Sequence, residues 1–364
     1  MTKVRVGVVG TGWWATQHHI PGLLAYEHCD VVALADPDPV NLGRAAEAFG
    51  IGRTFADHRA LLDSGEVDCV VVAVPHAYHY ELARDSLDAG VGVLVEKPMV
   101  LRAAEAWDLV ARAATHNLPL VVGYTFQFTQ VAERARRALS GGEVGDLLLV
   151  SGLFASMVQS YYSSRPAEYA DVFKFPLTGP KADTYSNPAI SGGGQGQTQI
   201  THAMGMVLWA TGARAVEVSA KMANAGLEVD LVDAISYTLD NGAIGTMAAT
   251  GSIKPGQGEQ LELRYYGNAG YVLQQPITGA LTVQRDGSPP ELLETPADDV
   301  YPAHATARCL VDLVRGEGEN RAPAGPAAAT VEFLEAAYRS VAEQRPVRVD
   351  ELSTEIGDPD SGNA

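Results

Sequence analysis

The sequence predicts an α/β protein built from two domains and a short tail. Its 364 residues are about twice the length of a typical domain. Up to about residue 126, short valine-rich runs alternate with amphipathic stretches, which is typical of a doubly wound parallel sheet. After residue 146, strand-like runs follow one another with turns such as Asp240-Asn241-Gly242 between them. We therefore expect a parallel-sheet domain at residues 1–124, an α+β domain with an open, largely antiparallel sheet at 125–346, and an acidic tail at 347–364.

In the first domain, each apolar run is followed by a helical pattern. The expected strands are Val4–Val9, Val31–Ala35, Cys69–Val74, Val91–Val95 and Leu120–Tyr124. The expected helices are Trp13–Ala25, Val40–Phe49, His79–Ala89 and Arg102–Thr115. Gly90, directly after the third helix, suits the left-handed position that ends many helices.

The second domain contains mainly strands. They are expected at Leu147–Ser156, Val216–Met222, Ala234–Leu239, Ala243–Thr250, Gln260–Tyr266, Tyr271–Gln274 and Ala280–Arg285. Two features interrupt the pattern. One is a loop-like segment from Gln159 to Ser191, and loops of that length are usually functional or disordered. The other is a helix expected over Gln197–Thr211, which begins just after three consecutive glycines.

Composition excludes several function classes. Lys and Arg total 26 against 44 Asp and Glu, a net charge of −18, so the chain should repel nucleic-acid phosphates and anionic lipids. No apolar run reaches the roughly 18 residues of a membrane helix, and the N-terminus does not resemble a secretory signal, so we expect a cytoplasmic protein. The three cysteines form no C-x-x-C pair, which argues against a disulfide framework and a zinc site; no metal is expected.

A glycine-rich turn follows the first strand. Gly10-Thr11-Gly12-Trp13-Trp14-Ala15 has the form G-x-G-x-x-A, in which the glycines let the backbone approach a pyrophosphate. The second strand ends at Asp36, where a carboxylate can accept the ribose hydroxyls of adenosine and would repel a 2′-phosphate. The alternative is a glycine turn beside a surface aspartate. We expect NAD as cofactor in preference to NADP, contacted by Gly10, Thr11, Gly12, Trp13, Trp14 and Asp36.

Glu96-Lys97-Pro98 lies at the end of the fifth strand, on the edge where doubly wound sheets bind ligands. An ammonium there can hold a substrate oxygen and stabilise the oxyanion that hydride removal creates. Together with the glycine turn, Asp36 and Val74-Pro75-His76-Ala77-Tyr78-His79, this motif resembles the glucose–fructose oxidoreductase, inositol dehydrogenase and rhizopine-catabolism (Gfo/Idh/MocA) family. The resemblance implies a Rossmann domain, a catalytic Lys97, and further cofactor contacts from Val74, Pro75, His79, Glu96, Lys97 and Gln127.

A third motif departs from the family pattern. Members typically carry three glycines, an aspartate four residues later and a histidine four residues beyond that. Here the aspartate position is Thr198 and the histidine is His202. A histidine beside a nicotinamide suits removal of a hydroxyl proton, so we expect His202 as base. Thr198 is its partner or a substrate contact, or the role of the acid lies with another residue. Gln127 stands where many relatives have arginine, which disfavours an anionic substrate group.

The Tyr-rich segment supplies further candidates. Tyr161 and Tyr185 offer stacking faces and hydrogen bonds suited to a sugar ring, although the segment could equally be an oligomer contact. The expected substrate-binding residues are Lys97, Gln127, Tyr161, Tyr185, Thr198 and His202. Since members of the family often associate through the open sheet, we expect a homodimer or homotetramer.

These residues predict an NAD-dependent oxidoreductase acting on a secondary alcohol of a sugar or cyclitol. Lys97 would hold the oxygen and His202 would take the proton. Two alternatives stay open. One is redox-neutral glycoside cleavage through transient oxidation and elimination, and the other is a non-catalytic sensor of sugars or dinucleotides.

Overall fold

The first domain is built on a six-stranded parallel sheet. The structure is a computed structural model that describes residues 2–175 and 177–354. The strands are β1 (Val4–Val9), β2 (Cys29–Ala35), β3 (Thr54–Phe55), β4 (Cys69–Val72), β5 (Gly92–Val95) and β6 (Leu120–Val122). Their order is β3-β2-β1-β4-β5-β6, and every neighbouring pair is parallel. The order reverses beside β1, which creates the crevice that doubly wound sheets use for ligands. This confirms the predicted fold of the domain.

Helices cover both faces of this sheet. They are α1 (Ile20–Leu24), α2 (Pro39–Phe49), α3 (His58–Asp63), α4 (His79–Asp88) and α5 (Ala103–His116). The helix expected over 13–25 is present, because Trp13 and Trp14 are helical, Ala15–His19 widen into a π turn and α1 follows directly. β3 and α3 were not predicted, because two strand residues and a six-residue helix are too short to show a period.

The second domain carries a nine-stranded sheet. Its strands are β7 (Leu147–Ala155), β8 (Ala215–Ala223), β9 (Val232–Leu239), β10 (Ile244–Thr250), β11 (Gln260–Gly267), β12 (Gly270–Gln275), β13 (Ala280–Arg285), β14 (Glu291–Glu294) and β15 (Val347–Arg348). The order is β14-β13-β12-β11-β7-β10-β9-β8-β15, and only β7 and β10 pair in parallel among the described residues. The sheet is therefore largely antiparallel, as predicted.

One face of this sheet is covered and the other is open. The helices that follow β6 in the chain are α6 (Gln130–Ser140), α7 (Gln159–Tyr162), α8 (Ala170–Phe173), α9 (Pro188–Ser191), α10 (Thr201–Thr211), α11 (Ala305–Val314) and α12 (Ala324–Glu343). Apolar residues of α6, α10 and α12 share one core with the inward side chains of the sheet. The opposite face exposes Leu148 and Ile244 by more than half.

The predicted domain boundaries need two corrections. Leu310 and Val311 of α11 lie in the core of the first domain, and the Val122 N–H donates to the Ala322 carbonyl at 3.0 Å. The chain thus returns to complete the first domain after building the second. The predicted tail also starts too early, because Val347 pairs with Val218 of β8. The rest of the predicted tail, residues 355–364, lies outside the described residues. No helix among the described ranges is both long and apolar enough to cross a membrane.

Candidate active site

The glycine turn after β1 leaves room for a ligand. Gly10 has φ +92°, and a Cβ there would lie 2.3 Å from the Ala73 carbonyl oxygen, so this position requires glycine. A Cβ added at Gly12 would meet nothing within 4 Å. The backbone is therefore tight behind the turn and open in front of it, which fits a pyrophosphate approaching the chain.

Asp36 is held at the end of β2 by three donors. One carboxylate oxygen accepts from the Thr11 N–H at 2.7 Å and the Thr11 hydroxyl at 2.8 Å, and the other accepts from the Asp38 N–H at 2.8 Å. These bonds fix the carboxylate beside the glycine turn, and the second oxygen keeps a lone pair for a ribose hydroxyl. The turn and the carboxylate together fit a dinucleotide whose adenosine ribose bears free hydroxyls.

Glu96 is buried behind the site and makes bonds to the protein. One oxygen accepts from Trp14 Nε1 at 2.9 Å and contacts His19 Nε2 at 2.8 Å, while the other accepts from the Lys97 N–H at 3.1 Å. Burial by itself would raise the pKa of Glu96, but the hydrogen bond to His19 and the charge of Lys97 outweigh it and lower that pKa. Glu96 and Trp14 were both expected to contact the cofactor, and these polar atoms of the two side chains instead hydrogen-bond to each other.

Lys97 points from the sheet edge toward the second domain. Its side chain is half-buried, and Nζ donates to the Thr198 carbonyl at 3.2 Å. Burial lowers the pKa of Lys97, and the nearby Glu96 carboxylate opposes that shift. The ammonium is therefore held in the cleft between the domains by a neutral partner.

His202 faces the same cleft from α10. Its ring is 8% exposed and meets Tyr124 and Phe126 edge-on, with centroids 6.3 and 5.7 Å away. Nδ1 is buried and has no hydrogen-bond partner among the described residues. Burial, and then the charge of Lys97, hold the pKa of His202 well below 6.5. The imidazole is neutral at physiological pH.

Thr198 does not contact His202 with its side chain. Its hydroxyl lies 2.9 Å from the Gly194 carbonyl and forms a second hydrogen bond with the Tyr162 hydroxyl. The hydroxyl is therefore occupied, and Thr198 reaches the site through its backbone carbonyl. Tyr162 was expected only as one of the residues of the Tyr-rich segment that suit a sugar ring, and its bond to Thr198 was not predicted.

The loop after β4 is tied down by histidines. His79 is fully buried, with Nε2 2.9 Å from the Val74 carbonyl and Nδ1 2.8 Å from the Pro98 carbonyl. His79 thus links the loop at Val74 to the turn after Lys97 and does not face the cleft. His76 bonds the Ser191 carbonyl at 2.9 Å and so joins this loop to the second domain.

The remaining candidates are more buried than a binding surface would be. Gln127 is 2% exposed; its Nε2 donates to the Gly205 carbonyl at 3.1 Å, and its Oε1 has no partner among the described residues. Tyr161 is 6% exposed, and its ring packs against those of Trp13, Tyr169, Phe173 and Tyr185. The Tyr-rich segment therefore forms an aromatic cluster against the glycine turn, and the faces of Tyr161 are already covered.

Two acids beneath the three glycines were missed. Asp230 accepts from the Gly194 N–H at 2.8 Å, the Gly196 N–H at 2.7 Å and the Tyr338 hydroxyl at 2.8 Å. Asp233 is 2% exposed and shares a hydrogen bond with Asp230, which requires one carboxyl to keep a proton. A sequence signal existed for Asp233, because it alternates in phase with the inward-facing Ile235 and Tyr237 of β9.

Comparison with known proteins agrees with this geometry. Residues 4–124 match the family model described as "Oxidoreductase family, NAD-binding Rossmann fold", and residues 132–273 match the "GFO/IDH/MocA C-terminal domain". Inositol 2-dehydrogenase 1 of Saccharopolyspora erythraea is 39% identical over 150 residues, which are 40% of this chain and 44% of that protein. D-apiose dehydrogenase of Paraburkholderia graminis is 30% identical over 143 residues, 39% of this chain and 38% of that protein. The matches thus span less than half the length of these relatives.

Solved structures match over nearly the whole chain. GenD2 from gentamicin A biosynthesis, in complex with NAD, has a TM-score of 0.77 and 26% identity, covering 96% of this chain and 97% of that one. Levoglucosan dehydrogenase, in complex with NADH, has a TM-score of 0.79 and 18% identity, covering 96% and 99%. The second likeness concerns the fold alone.

Proposed function

This chain belongs to the Gfo/Idh/MocA family of oxidoreductases, and on that premise we propose that it transfers a hydride between a secondary alcohol of a sugar or cyclitol and NAD. The observation that carries the proposal is the position of Lys97. Its ammonium lies at the carboxyl edge of the dinucleotide-binding sheet and bonds the Thr198 carbonyl of the second domain at 3.2 Å. A substrate between the domains would meet this group directly.

The two polar groups at the cleft have different roles. Bound NAD supplies the hydride acceptor, and the protein supplies orientation and charge. Lys97 holds the alcohol oxygen and stabilises the negative charge that develops on it. His202, being neutral, offers a nitrogen to the hydroxyl proton. Because Lys97 lowers the pKa of His202, the two groups do not readily carry positive charge together, so a gained proton must leave to solvent.

The substrate class follows from charge. Gln127 places an amide where many relatives have arginine, and the charge of Lys97 is partly balanced by Glu96 behind it. An uncharged polyol can accept a hydrogen bond from Lys97, whereas an anionic group would find little net positive charge at the site. The names inositol 2-dehydrogenase and D-apiose dehydrogenase point to the same class of compound.

We further propose that the protein is a homodimer or homotetramer formed through the open face of the nine-stranded sheet. Leu148 and Ile244 are exposed by 55% and 58% on that face, beside the partly exposed Leu153 and Val232. Exposed apolar patches of this kind mark association sites. Light scattering should give a multiple of the chain mass, and Ile244→Glu should reduce it.

The function is tested by the absorbance of NADH with purified protein, NAD and a panel of sugars, cyclitols and glycosides. Accumulation of NADH with one class of compound is expected. Lys97→Met should lower kcat by about 10²–10³-fold and leave the Kd for NAD nearly unchanged. Lys3→Met, the same change at an exposed lysine paired with Asp30, is the control.

Three results would contradict this proposal. Full turnover by the Lys97 variant would remove that residue from the reaction. Product without accumulating NADH would indicate the redox-neutral cleavage of glycosides. Tight NAD binding with no turnover of any compound would indicate a sensor.

A further inference from the structure

The hydroxyl of Thr198 has a defined direction of hydrogen bonding. It carries one proton, and the Gly194 carbonyl at 2.9 Å can only accept. Thr198 therefore donates to Gly194, and the Tyr162 hydroxyl must donate to Thr198. The other acceptor near Tyr162, Gln195 Oε1, is farther away at 3.4 Å. The Tyr162 proton thus goes to Thr198.

The same residue holds Lys97 through its backbone. The bond from Nζ to the Thr198 carbonyl is the one hydrogen bond that the ammonium makes within the described part of the chain. The direction of that carbonyl depends on the turn Gly196–Ile200, a wide π turn of the kind that often occurs at functional sites. The side-chain bonds of Thr198 to Gly194 and Tyr162 fix this turn from the opposite side.

We propose that Tyr162 is a positioning residue for Lys97, acting through Thr198. The proposal rests on the proposed oxidoreductase function and refines it. Tyr162 is 2% exposed, and burial raises its pKa well above 10, so it remains a donor at any working pH. A fixed hydroxyl pair thus orders the loop at the position where related proteins typically place a carboxylate.

The consequence for Lys97 has a definite sign. A hydrogen bond from the ammonium to a carbonyl favours the charged form. When the Tyr162 hydroxyl is removed, the Thr198 turn loses one of its two side-chain bonds and the carbonyl is held less firmly. The charged form of Lys97 then loses stabilisation, and its pKa falls further below 10.5.

The experiment compares Tyr162→Phe with Tyr169→Phe. Tyr169 is equally buried in the same segment, but its hydroxyl accepts from the Ser160 N–H at 3.1 Å and does not reach Thr198. The first readout needs no turnover: the rate at which acetic anhydride acetylates Lys97 is followed against pH by mass spectrometry, which reports the pKa of its amine. Tyr162→Phe should move this profile to lower pH, and Tyr169→Phe should leave it in place.

A double variant shows whether Thr198 is the route. Thr198→Val removes this hydrogen bond together with the one to Gly194, so its profile should shift at least as far as that of Tyr162→Phe, and adding Tyr162→Phe to it should shift the profile no further. Additive shifts would overturn the proposed route. A profile in Tyr162→Phe equal to that in Tyr169→Phe would overturn the proposal itself.

Turnover provides the second readout. With an active substrate, Tyr162→Phe should lower kcat by about 10-fold to 100-fold with little change in the Kd for NAD, because displacement of the holding group slows the reaction more than it weakens cofactor binding. If the wild-type protein turns over nothing, the proposed function fails, while the acetylation profile still decides the role of Tyr162.

Discussion

Asp233 should make the protein less stable as pH rises. Burial, the neighbouring charge of Asp230 and their hydrogen bond raise the pKa of Asp233 from 3.8 to about 9. Between these values the unfolded chain has lost a proton that the folded chain keeps, so stability falls as pH increases. Each pH unit corresponds to about 1.4 kcal/mol, and the three units from pH 5 to pH 8 therefore amount to about 4 kcal/mol.

Asp233→Asn removes this dependence and keeps an N–H donor for Asp230. Urea unfolding of both proteins between about pH 5 and 8 gives the unfolding free energy of each. The contributions of the other titrating groups are the same in both proteins, so they cancel when one free energy is subtracted from the other. That difference should grow in favour of the variant by about 4 kcal/mol over the range. Asp286→Asn, at an exposed turn after β13, should show no such trend. A difference that stays constant with pH would refute the shared proton.

Three other measurements test the site. Asp36→Asn should weaken NAD binding by about 10-fold or more in calorimetric titration and reduce the preference of the protein for NAD over NADP, since a charged acceptor is lost. An unchanged ratio of the two dissociation constants would exclude a contact between Asp36 and the ribose. Gln17→Ala should speed NADH release about threefold to tenfold in stopped-flow fluorescence. The reason is that Gln17 donates to the Phe173 carbonyl at 2.8 Å and so holds the Tyr-rich segment against the glycine turn. Glu168→Gln, at an exposed residue of the same segment, is the control. The imidazole of His202 should remain neutral at pH 6.5 by NMR, because burial and the charge of Lys97 lower its pKa; a titration centred at pH 6.5 would contradict its burial.

The sequence predicts the fold where a period or an apolar run is long enough to show. The valine-rich runs gave the central strands of the first sheet, and alternation gave those of the second. The two-residue strands β3 and β15 have no such signal, and β15 depends on pairing with β8, far away in the chain. The return of α11 to the first domain is also invisible locally, because an apolar helix face does not reveal which core it joins.

The site could be predicted where a motif fixes the backbone. The glycine turn, Asp36 and Lys97 directly follow β1, β2 and the residue after β5 at the carboxyl edge of the first sheet, and His202 lies on α10 of the second domain. The directions of the side chains could not be predicted, since they depend on partners from distant segments. Tyr162 lies 36 residues before Thr198, and its hydroxyl turns that side chain away from His202. Tyr161 and Gln127 were expected to offer open surfaces and are instead nearly covered.

The carboxylates beneath the cleft do not replace the aspartate that members of the family typically carry. The Asp230 carboxylate accepts hydrogen bonds from the N–H groups of Gly194 and Gly196, and Asp233 stays protonated beside it. Glu96 is turned toward Trp14 and His19. The acids thus shape the backbone of the site from behind, and none of these bonds places a carboxylate oxygen against His202. In the proposed reaction, a developing alkoxide in contact with Lys97 would gain an interaction with the ammonium charge that a neutral alcohol at the same position lacks, and such a difference is what accelerates a reaction.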